Sequence, residues 1–432
     1  MLLQFSVENF RSFKERTVLS LEGSSDKNLP NNVALFGKEK VLKVATVFGA
    51  NAAGKSNLFL ALTAAIITVK RSDVRQVGEP LYTIVPYLFD NESAKEPTSF
   101  EFVFVAEGKK YVYGYSATNQ KVCTEYLYVY NSSRPTTIFE RDESAEEKYA
   151  FTNQMLKTKL KPLTERNIEN KLFLATATAW NAEETKIPMM WITNSINTYD
   201  TNYENALNIT GDMFEKDSDN SLRRFTNNIL KEADINICDY EFESRDVPLE
   251  GIPALMLANQ PGTVPEIRGK EYKITTKHII EDENGEKQVF PLGMHLESLG
   301  TQKIFFMSPI IKKAFETGET VCIDEFDKSI HPMLVCYLVG LFNNPEVNIK
   351  NAQLIISTHT MSLLNLNDLR RDQIYFVKKN QKTGVSELYS LDEFSPRTRE
   401  DIRKAYLLGR YGSVPDLGMG MAYGIKQTWL YS

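Results

Sequence analysis

The chain opens with short runs in which apolar and polar positions alternate, the period of a strand with one buried face. Residues 2–8 and 17–21 form two such runs around a turn at residues 9–14, and residues 42–48 form a nearly continuous apolar run. Residues 57–70 instead repeat apolar side chains at intervals of three and four, the period of a helix. The opening pattern therefore predicts two strands, then a buried strand that a short loop joins to a helix.

The middle of the chain predicts an antiparallel sheet followed by a mainly helical region. Four alternating segments rich in aromatic residues come first, at residues 100–105, 111–115, 125–130 and 136–140. We expect these aromatic side chains to pack within the sheet, and the alternative is a platform that stacks nucleic acid bases. Helical spacing follows at residues 156–180, 187–199 and 217–231, and shorter strand patterns at residues 239–243, 272–280 and 287–290.

The last third of the chain contains two apolar runs that each end in chemically active side chains. Residues 319–323 lead into Asp324 and Glu325, and residues 354–356 lead into a serine, a threonine and His359. A strand that ends in two acids can present one carboxylate to Mg²⁺ and the other to a water molecule. The pattern predicts two more buried strands whose ends carry functional groups.

Composition is that of an ordinary globular protein. Of the 432 residues, 42% are hydrophobic and 25% are charged, so the chain can form two or three lobes with substantial cores. The net charge of −6 gives no overall basic field for nucleic acid, although local basic patches can still exist. We see no membrane span and no signal peptide, and the four cysteines are scattered. We therefore expect a cytoplasmic protein with reduced thiols and no membrane partner.

The loop between the buried strand and its helix carries the most specific motif. Residues 49–56 match G-x-x-x-x-G-K-[ST], in which backbone N–H groups and a helix N-terminus surround phosphate oxygens. We expect Lys55 to reach the β- and γ-phosphates of a nucleotide and the Ser56 hydroxyl to hold Mg²⁺. A chance match in a glycine-containing turn is disfavoured by the flanking strand and helix. The predicted nucleotide-binding residues of this segment are Gly49, Asn51, Ala52, Ala53, Gly54, Lys55, Ser56 and Asn57.

The order of the motifs resembles that of ABC-type ATPases of the SMC, RecF and OLD kind. The phosphate-binding loop comes first, then Ser298 and Gly300 in a Ser-x-Gly signature, then the strand ending in Asp324 and Glu325, and finally the strand ending in His359. The resemblance implies that one acid supports Mg²⁺, the next acts on the attacking water, and the histidine contacts the γ-phosphate. It also implies that the signature acts in trans, on the γ-phosphate held by another protomer.

Some of these residues have simpler explanations when each is considered alone. His359 could be a hydrogen-bonded core histidine, and Ser298 could be a helix N-cap. The signature also has Leu299 and Thr301 where the usual sequence is Ser-Gly-Gly-Gln, and no glutamine can be assigned to the position that usually follows the N-terminal lobe. Arg11 lies in an opening turn that resembles a basic turn near the nucleotide in these ATPases. It is a candidate nucleotide contact, with a solvated turn arginine as the equal alternative.

The fold that the resemblance implies is α/β: an ABC-type P-loop nucleotide-binding domain with an antiparallel β subdomain and a helical and β insertion. We expect residues 1–150 to form the N-terminal half of the ATPase domain, residues 151–289 the insertion, and residues 290–432 the C-terminal half with its tail. No heptad run is long enough for a coiled coil, which argues against a long-armed SMC protein.

Softer features extend the resemblance to the RloA/AbiL-type ATPases of bacterial restriction-linked and abortive-infection loci. These features are the start of the chain, the insertion and the segment at residues 408–415. They imply an antiphage defence ATPase that binds ATP and Mg²⁺, forms an ATP-sandwich homodimer or higher oligomer, and controls a separate nuclease or toxin effector. No nuclease motif is visible in the chain itself.

Two other functions are open at this point. The first is an SMC/RecF-like ATPase that repairs or clamps DNA, and the second is the ATPase subunit of a transporter, against which the opening turn and the large insertion argue. Nucleic acid is a further candidate partner, because one predicted helix carries a set of basic residues. The alternative is that these residues form a solvated helix face without a partner. That set is Arg397, Arg399, Arg403 and Lys404.

Overall fold

The computed structural model describes residues 1–37, 39–200, 203–248, 268–397 and 400–414. The helices in these ranges are α1 (Lys55–Lys70), α2 (Gln154–Thr164), α3 (Phe173–Ala179), α4 (Glu183–Met190), α5 (Tyr203–Glu215), α6 (Ser221–Glu232), α7 (Leu299–Thr317), α8 (Pro332–Asn343) and α9 (Ile402–Leu407). The strands are β1 (Leu2–Glu8), β2 (Thr17–Ser20), β3 (Val33–Phe36), β4 (Glu39–Leu42), β5 (Val44–Gly49), β6 (Thr98–Ala106), β7 (Lys109–Ala117), β8 (Val122–Tyr130), β9 (Pro135–Asp142), β10 (Tyr149–Ala150), β11 (Ile196–Thr198), β12 (Asp239–Pro248), β13 (Arg268–Glu281), β14 (Lys287–Gly293), β15 (Thr320–Ile323), β16 (Gln353–Ser357), β17 (Ile374–Lys379) and β18 (Ser386–Ser390).

A six-stranded sheet carries the predicted nucleotide motifs, in the strand order β11-β15-β16-β5-β17-β18. The first five strands run parallel, and β18 runs antiparallel to β17 at one edge. Every residue of β5, β15 and β16 is buried, because apolar strands at the centre of a parallel sheet are covered on both faces. Loops that follow the carboxyl ends of such strands are where α/β proteins place ligand sites.

A seven-stranded antiparallel sheet has the order β10-β9-β8-β7-β6-β1-β2. Its core is aromatic: Phe102, Phe104 and Tyr113 are fully buried. The ring of Phe104 stacks on that of Trp191 with centroids 3.9 Å apart. The prediction that the aromatic side chains of this segment pack within the sheet is confirmed at these positions. Together with the six-stranded sheet, this subdomain confirms the α/β class predicted from the sequence.

Contacts within the chain divide it into two compact units. The first comprises Met1–Thr198, Gly318–Phe326 and the chain from Cys336 onwards, and it contains both large sheets. The second comprises Tyr199–Thr317 and Asp327–Val335, and it contains the three-stranded sheet β12-β13-β14. The division of the chain at residues 150 and 289 into ATPase halves and insertion stays a prediction.

An aromatic cluster holds the second unit together. The ring of Phe305 in α7 stacks on Phe214 in α5 with centroids 5.1 Å apart, and it meets Tyr240 in β12 edge-on at 4.9 Å. The hydroxyls of Thr226 in α6 and Ser308 in α7 lie 2.7 Å apart in the same core. Helices α5, α6 and α7 therefore pack together, with α7 at the centre of these contacts.

The helical predictions for residues 156–199 are partly wrong. Two helices, α2 and α3, replace the single helix predicted for residues 156–180. After α4 the chain forms a π-helix, Trp191–Ser195, and then enters β11. The physical reason is that β11 pairs in parallel with β15 and so extends the core sheet by one short edge strand. Three residues are too few to show the alternating pattern of a strand, so the sequence does not indicate this pairing.

Two predictions in the C-terminal third also need correction. The helix expected after His359 is only a 3₁₀ turn, Met361–Leu363. Of the predicted basic helix, the helical part is α9, so Arg397 precedes it, while Arg399 lies outside the described residues. The chain from Pro415 onwards also lies outside them.

The helices of the described chain are of moderate length. Among the described residues, none combines the length and the apolarity that a bilayer-crossing helix needs. The longest helix in these ranges is α7, with 19 residues.

Candidate functional site

The phosphate-binding motif has the predicted setting between β5 and α1. Ala52 and Gly54 have φ angles of 61° and 119°, so the loop turns twice through the left-handed region. A side chain at Gly54 is excluded, because its Cβ would lie 2.4 Å from the Oγ of Ser386. Gly49 is equally restricted, since a Cβ there would lie 2.6 Å from the carbonyl oxygen of Val377. The absence of a side chain at Gly49 thus lets the loop approach the backbone of Val377, and its absence at Gly54 lets the loop approach the side chain of Ser386.

The start of α1 is suited to an anion. Its N-cap residue is Gly54, which has no side chain to accept the first N–H groups of the helix, and its first turn contains no acidic residue. The buried ammonium of Lys55 donates to the carbonyl oxygens of Gly49 at 2.9 Å and Ala50 at 3.1 Å, which holds the lysine against the loop. Ser56 is exposed on the next position of the helix. The N–H groups of the helix N-terminus and the Lys55 ammonium are donors suited to the oxygens of a phosphate group.

Behind the loop lies a hydrogen-bonded cluster that the sequence did not reveal. The Ser386 hydroxyl donates to the carbonyl oxygen of Ala53 at 2.6 Å and lies 2.9 Å from the Ser12 hydroxyl. The side-chain amide of Asn57 in turn donates to Ser12 at 2.7 Å. Ser12 and Ser386 are buried. This serine cluster, Ser12 and Ser386, therefore fixes the phosphate-binding loop to the opening turn and to β18. Ser12 lies in the opening turn that the sequence singled out, whereas nothing in the sequence around Ser386 marks it.

The two acids follow β15 directly. The Ser357 hydroxyl at the end of β16 donates to the Asp324 carboxylate and accepts the backbone N–H of Glu325 at 2.8 Å. Glu325 has a φ of 48°, a conformation that costs energy for a residue with a side chain and that concentrates at functional sites. Ser357 thus contacts both acids, a role that the sequence pattern does not indicate. Its one signal is its place just before His359.

His359 follows the end of β16, the neighbour of β5, which is the strand before the phosphate-binding loop. The N–H of Thr358 donates to the carbonyl of Val47 in β5 at 3.1 Å, so β16 and β5 are still paired one residue before the histidine. The His359 side chain is exposed, so the alternative of a buried core histidine is wrong. Because β15, β16 and β5 are adjacent and parallel, both acids, the histidine and the phosphate-binding loop all follow the same edge of one sheet.

Arg11 occupies a tight turn. Its φ is 49°, its side chain is exposed, and its N–H donates to the carbonyl of Val85 at 3.0 Å. The guanidinium lies 5.8 Å from the ring centroid of Phe10. Both alternatives for this arginine, a nucleotide contact and a solvated turn residue, are compatible with these contacts.

The signature residues belong to the second unit, at the start of α7. The Ser298 hydroxyl accepts the N–H of Thr301 at 3.1 Å, so the serine is the helix N-cap, and its side chain is exposed. Gly300 must lack a side chain, because a Cβ would lie 2.5 Å from the carbonyl oxygen of Ser329 in the loop that follows the two acids in the chain. The expected action of both residues on a nucleotide held by another protomer stays a prediction.

A P-loop before an uncapped helix, with two acids and a histidine at the ends of adjacent parallel strands, defines an ABC-type nucleotide-binding domain. The chain belongs to the family described as "AAA domain, putative AbiEii toxin, Type IV TA system", whose model matches residues 44–173 and 192–365, more than two thirds of the chain. No curated protein matches the sequence. The finer resemblance to RloA/AbiL-type ATPases stays a prediction.

The chain is also similar to solved structures of SMC head domains. With the "SMC head domain from Thermotoga maritima" it shares 14% identity at a TM-score of 0.38, over 90% of this chain and 98% of that one. With the "SmcHead bound to the C-winged helix domain of ScpA" the identity is 13% and the TM-score 0.38, over 90% and 97%. An Smc head domain with an extended coiled coil, bound to the C-terminal domain of ScpA derived from Pyrococcus furiosus, gives 13% and 0.38, over 91% and 97%.

Proposed function

We propose that the chain binds Mg-ATP and hydrolyses it, as the ATPase subunit of a bacterial antiphage defence system of the abortive-infection type. The observation that supports ATP hydrolysis most is the placement of Lys55, Asp324, Glu325 and His359 after adjacent strands at one edge of the core sheet. Membership of an AAA family supports the same activity.

The phosphate-binding loop is the proposed binding site of the triphosphate. The uncapped N-terminus of α1 and the Lys55 ammonium supply N–H donors and positive charge to the phosphate oxygens. The Ser56 hydroxyl and the Asp324 carboxylate are oxygen ligands of the kind that Mg²⁺ takes. Bound Mg²⁺ neutralises charge on the phosphate oxygens.

Glu325 is the proposed residue that orients the attacking water or accepts its proton. Its backbone has a φ in the left-handed region and donates to the Ser357 hydroxyl, which in turn donates to the Asp324 carboxylate, so one serine holds the backbone of Glu325 and the side chain of Asp324. His359 is proposed to contact the γ-phosphate from the neighbouring strand end. Arg11 is an additional candidate nucleotide contact from the opening turn.

Ser298 and Gly300 are proposed to complete the site of a second protomer, which makes the working unit a homodimer or a higher oligomer. The exposed serine at the N-terminus of the long helix α7 supports this role, because such a terminus favours negative charge. Closure of the pair around ATP would then be the event that the system reports to its effector.

A separate nuclease or toxin is the proposed effector, in the cytoplasm. The family description names a toxin and a toxin–antitoxin system, which supports a link to a toxic activity. If the alternative of DNA clamping holds instead, duplex DNA alone should raise the ATPase rate severalfold, without any partner protein.

The direct test compares Lys55→Ala with Lys70→Ala, because both lysines lie on α1 but only the first lies in the motif. We expect Lys55→Ala to lose ATP affinity about tenfold or more, since it removes a charge-assisted contact to phosphate, and to lose turnover. Lys70→Ala should resemble the parent in both. Titration with a fluorescent ATP analogue and a phosphate-release assay measure the two quantities. A Lys55→Ala variant with parental turnover contradicts the proposed site.

A further inference from the structure

The turn that carries Ser298 is held by a buried carboxylate. Residue Glu297 precedes the serine, and its side chain is only 8% exposed, whereas Ser298 is exposed. The Thr276 hydroxyl lies 2.5 Å from Oε1 of Glu297, and Nε2 of His278 lies 2.7 Å from the same oxygen. Both partners come from β13, the central strand of the three-stranded sheet. The signature turn and this sheet therefore meet at one buried acid.

The same turn is also held by its own helix. The side-chain amide of Gln302 in α7 donates to the carbonyl oxygens of Met294 at 3.1 Å and Glu297 at 3.0 Å. Gln302 and Met294 are both buried. These bonds fix the backbone of the turn from the helix, while the β13 contacts fix the Glu297 side chain.

We propose that Thr276 and His278 are positioning residues for Ser298, so that the three-stranded sheet sets the geometry of the signature. A buried carboxylate keeps its place only while its hydrogen-bond partners remain, because loss of them leaves a charge without compensation. Without them Glu297 turns towards water, and only the Gln302 bonds then hold the turn, so Ser298 is positioned less precisely. The inference rests on the proposed function of Ser298, and it gives the sheet a role in ATP turnover without any contact to nucleotide.

The test uses Thr276→Val and its matched control Thr275→Val. The two threonines are neighbours on β13 and point to opposite faces, and of the two, Thr276 is the one that the described contacts bond to Glu297. We expect Thr276→Val to lower kcat about tenfold while ATP affinity in a fluorescent-analogue titration stays parental, because the phosphate-binding residues belong to the first unit. Thr275→Val should keep parental kcat. Parental kcat in Thr276→Val overturns the inference.

A second pair of variants decides the matter if Thr276→Val does not fold. His278→Gln keeps a side-chain N–H that can reach Glu297, whereas His278→Phe keeps bulk without a donor. The inference expects near-parental kcat for the glutamine variant and a lowered kcat, with unchanged ATP affinity, for the phenylalanine variant. Equal kcat values for the two variants overturn the inference, because the volume of the side chain at residue 278 would then account for the turnover without any contribution from a hydrogen-bond donor.

Ser298→Arg separates failure of this inference from failure of the proposed function. If Ser298→Arg turns over ATP at the parental rate, the signature assignment fails, and the positioning role fails with it. If Ser298→Arg is inactive while the Thr276 and His278 variants all keep parental kcat, only the positioning role is overturned. If Ser298→Arg and His278→Phe both lose turnover with parental ATP affinity, both proposals are supported.

Discussion

The serine cluster behind the phosphate-binding loop gives a prediction about ATP affinity. Ser386→Ala removes the hydroxyl that donates to Ala53 at 2.6 Å and contacts Ser12 at 2.9 Å. Both serines are buried, so water cannot simply replace the lost bond. Leaving a buried polar group without its partner costs about 1 to 3 kcal/mol. Because about 1.4 kcal/mol corresponds to a factor of ten, ATP affinity should fall about 5- to 150-fold if the loop carries the whole cost.

A double-mutant cycle makes this prediction sharper. Ser12→Ala and Ser386→Ala interrupt one hydrogen-bonded cluster, so the double variant should lose less affinity than the sum of the single losses, by about 0.5 kcal/mol or more. Ser116→Ala is the matched control, since it removes a buried hydroxyl bond of 2.7 Å to Thr124 in the antiparallel sheet. It should lower the melting temperature and leave ATP affinity unchanged.

The measurement is a titration with a fluorescent ATP analogue, with thermal unfolding recorded for every variant. Parental affinity in Ser386→Ala, at a lowered melting temperature, would show that the cluster stabilises the fold without shaping the loop. Strictly additive losses in the cycle would show that Ser12 and Ser386 act separately. Either result would refute the reasoning from their shared geometry.

Two further predictions concern the effector and acid stability. The purified chain should hydrolyse ATP without cutting DNA or RNA; metal-dependent cleavage that survives Glu325→Gln would reveal an active site elsewhere in the chain. The hydrogen bond from Lys14, at 2.9 Å, holds the pKa of Asp90 at about 2, below its ordinary 3.8. The stabilisation from this pair is therefore present above about pH 4 and lost as the pH falls through 2. Asp90→Asn should lower the melting temperature more at pH 6 than at pH 2, where the carboxylate is partly protonated, and an equal loss at both values would refute this assignment.

The parts of the site that the sequence predicts are those encoded by local pattern. The strand, loop and helix around Lys55 are continuous in sequence, and the apolar runs before Asp324 and His359 become adjacent buried strands. A fully buried strand needs a short apolar run, and its end is marked by the first polar residue. These features can therefore be recognised without any knowledge of long-range contacts.

The parts that the sequence does not predict depend on contacts between distant segments. Ser12 and Ser386 are 374 positions apart, and neither has a neighbour pattern that indicates the other. Ser357 is a small residue at a strand end, and only its contacts with two acids give it importance. The short strand β11 exists because it pairs with β15, and its three residues carry too little periodicity to indicate a strand.

The proposal that two protomers share the ATP site is tested by separating chemistry from closure. Glu325→Gln keeps the size of the side chain and the backbone bond to Ser357, so the strained turn at residue 325 should be retained while the base is lost. ATP should then stay bound and hold two protomers together; at a concentration 100 times the dissociation constant, a ligand selective for the closed pair stabilises it by about 2.7 kcal/mol. Ser298→Arg in the same background puts bulk and charge on the exposed N-cap and should abolish this association while ATP still binds.

Light scattering with and without Mg-ATP measures the mass of each variant. If the mass is already that of an oligomer without ATP, cross-linking from a cysteine placed beside Ser298 should depend on ATP. Cross-linking that is independent of ATP would show that ATP does not close the pair, and parental turnover in Ser298→Arg alone would show that the site works within one chain.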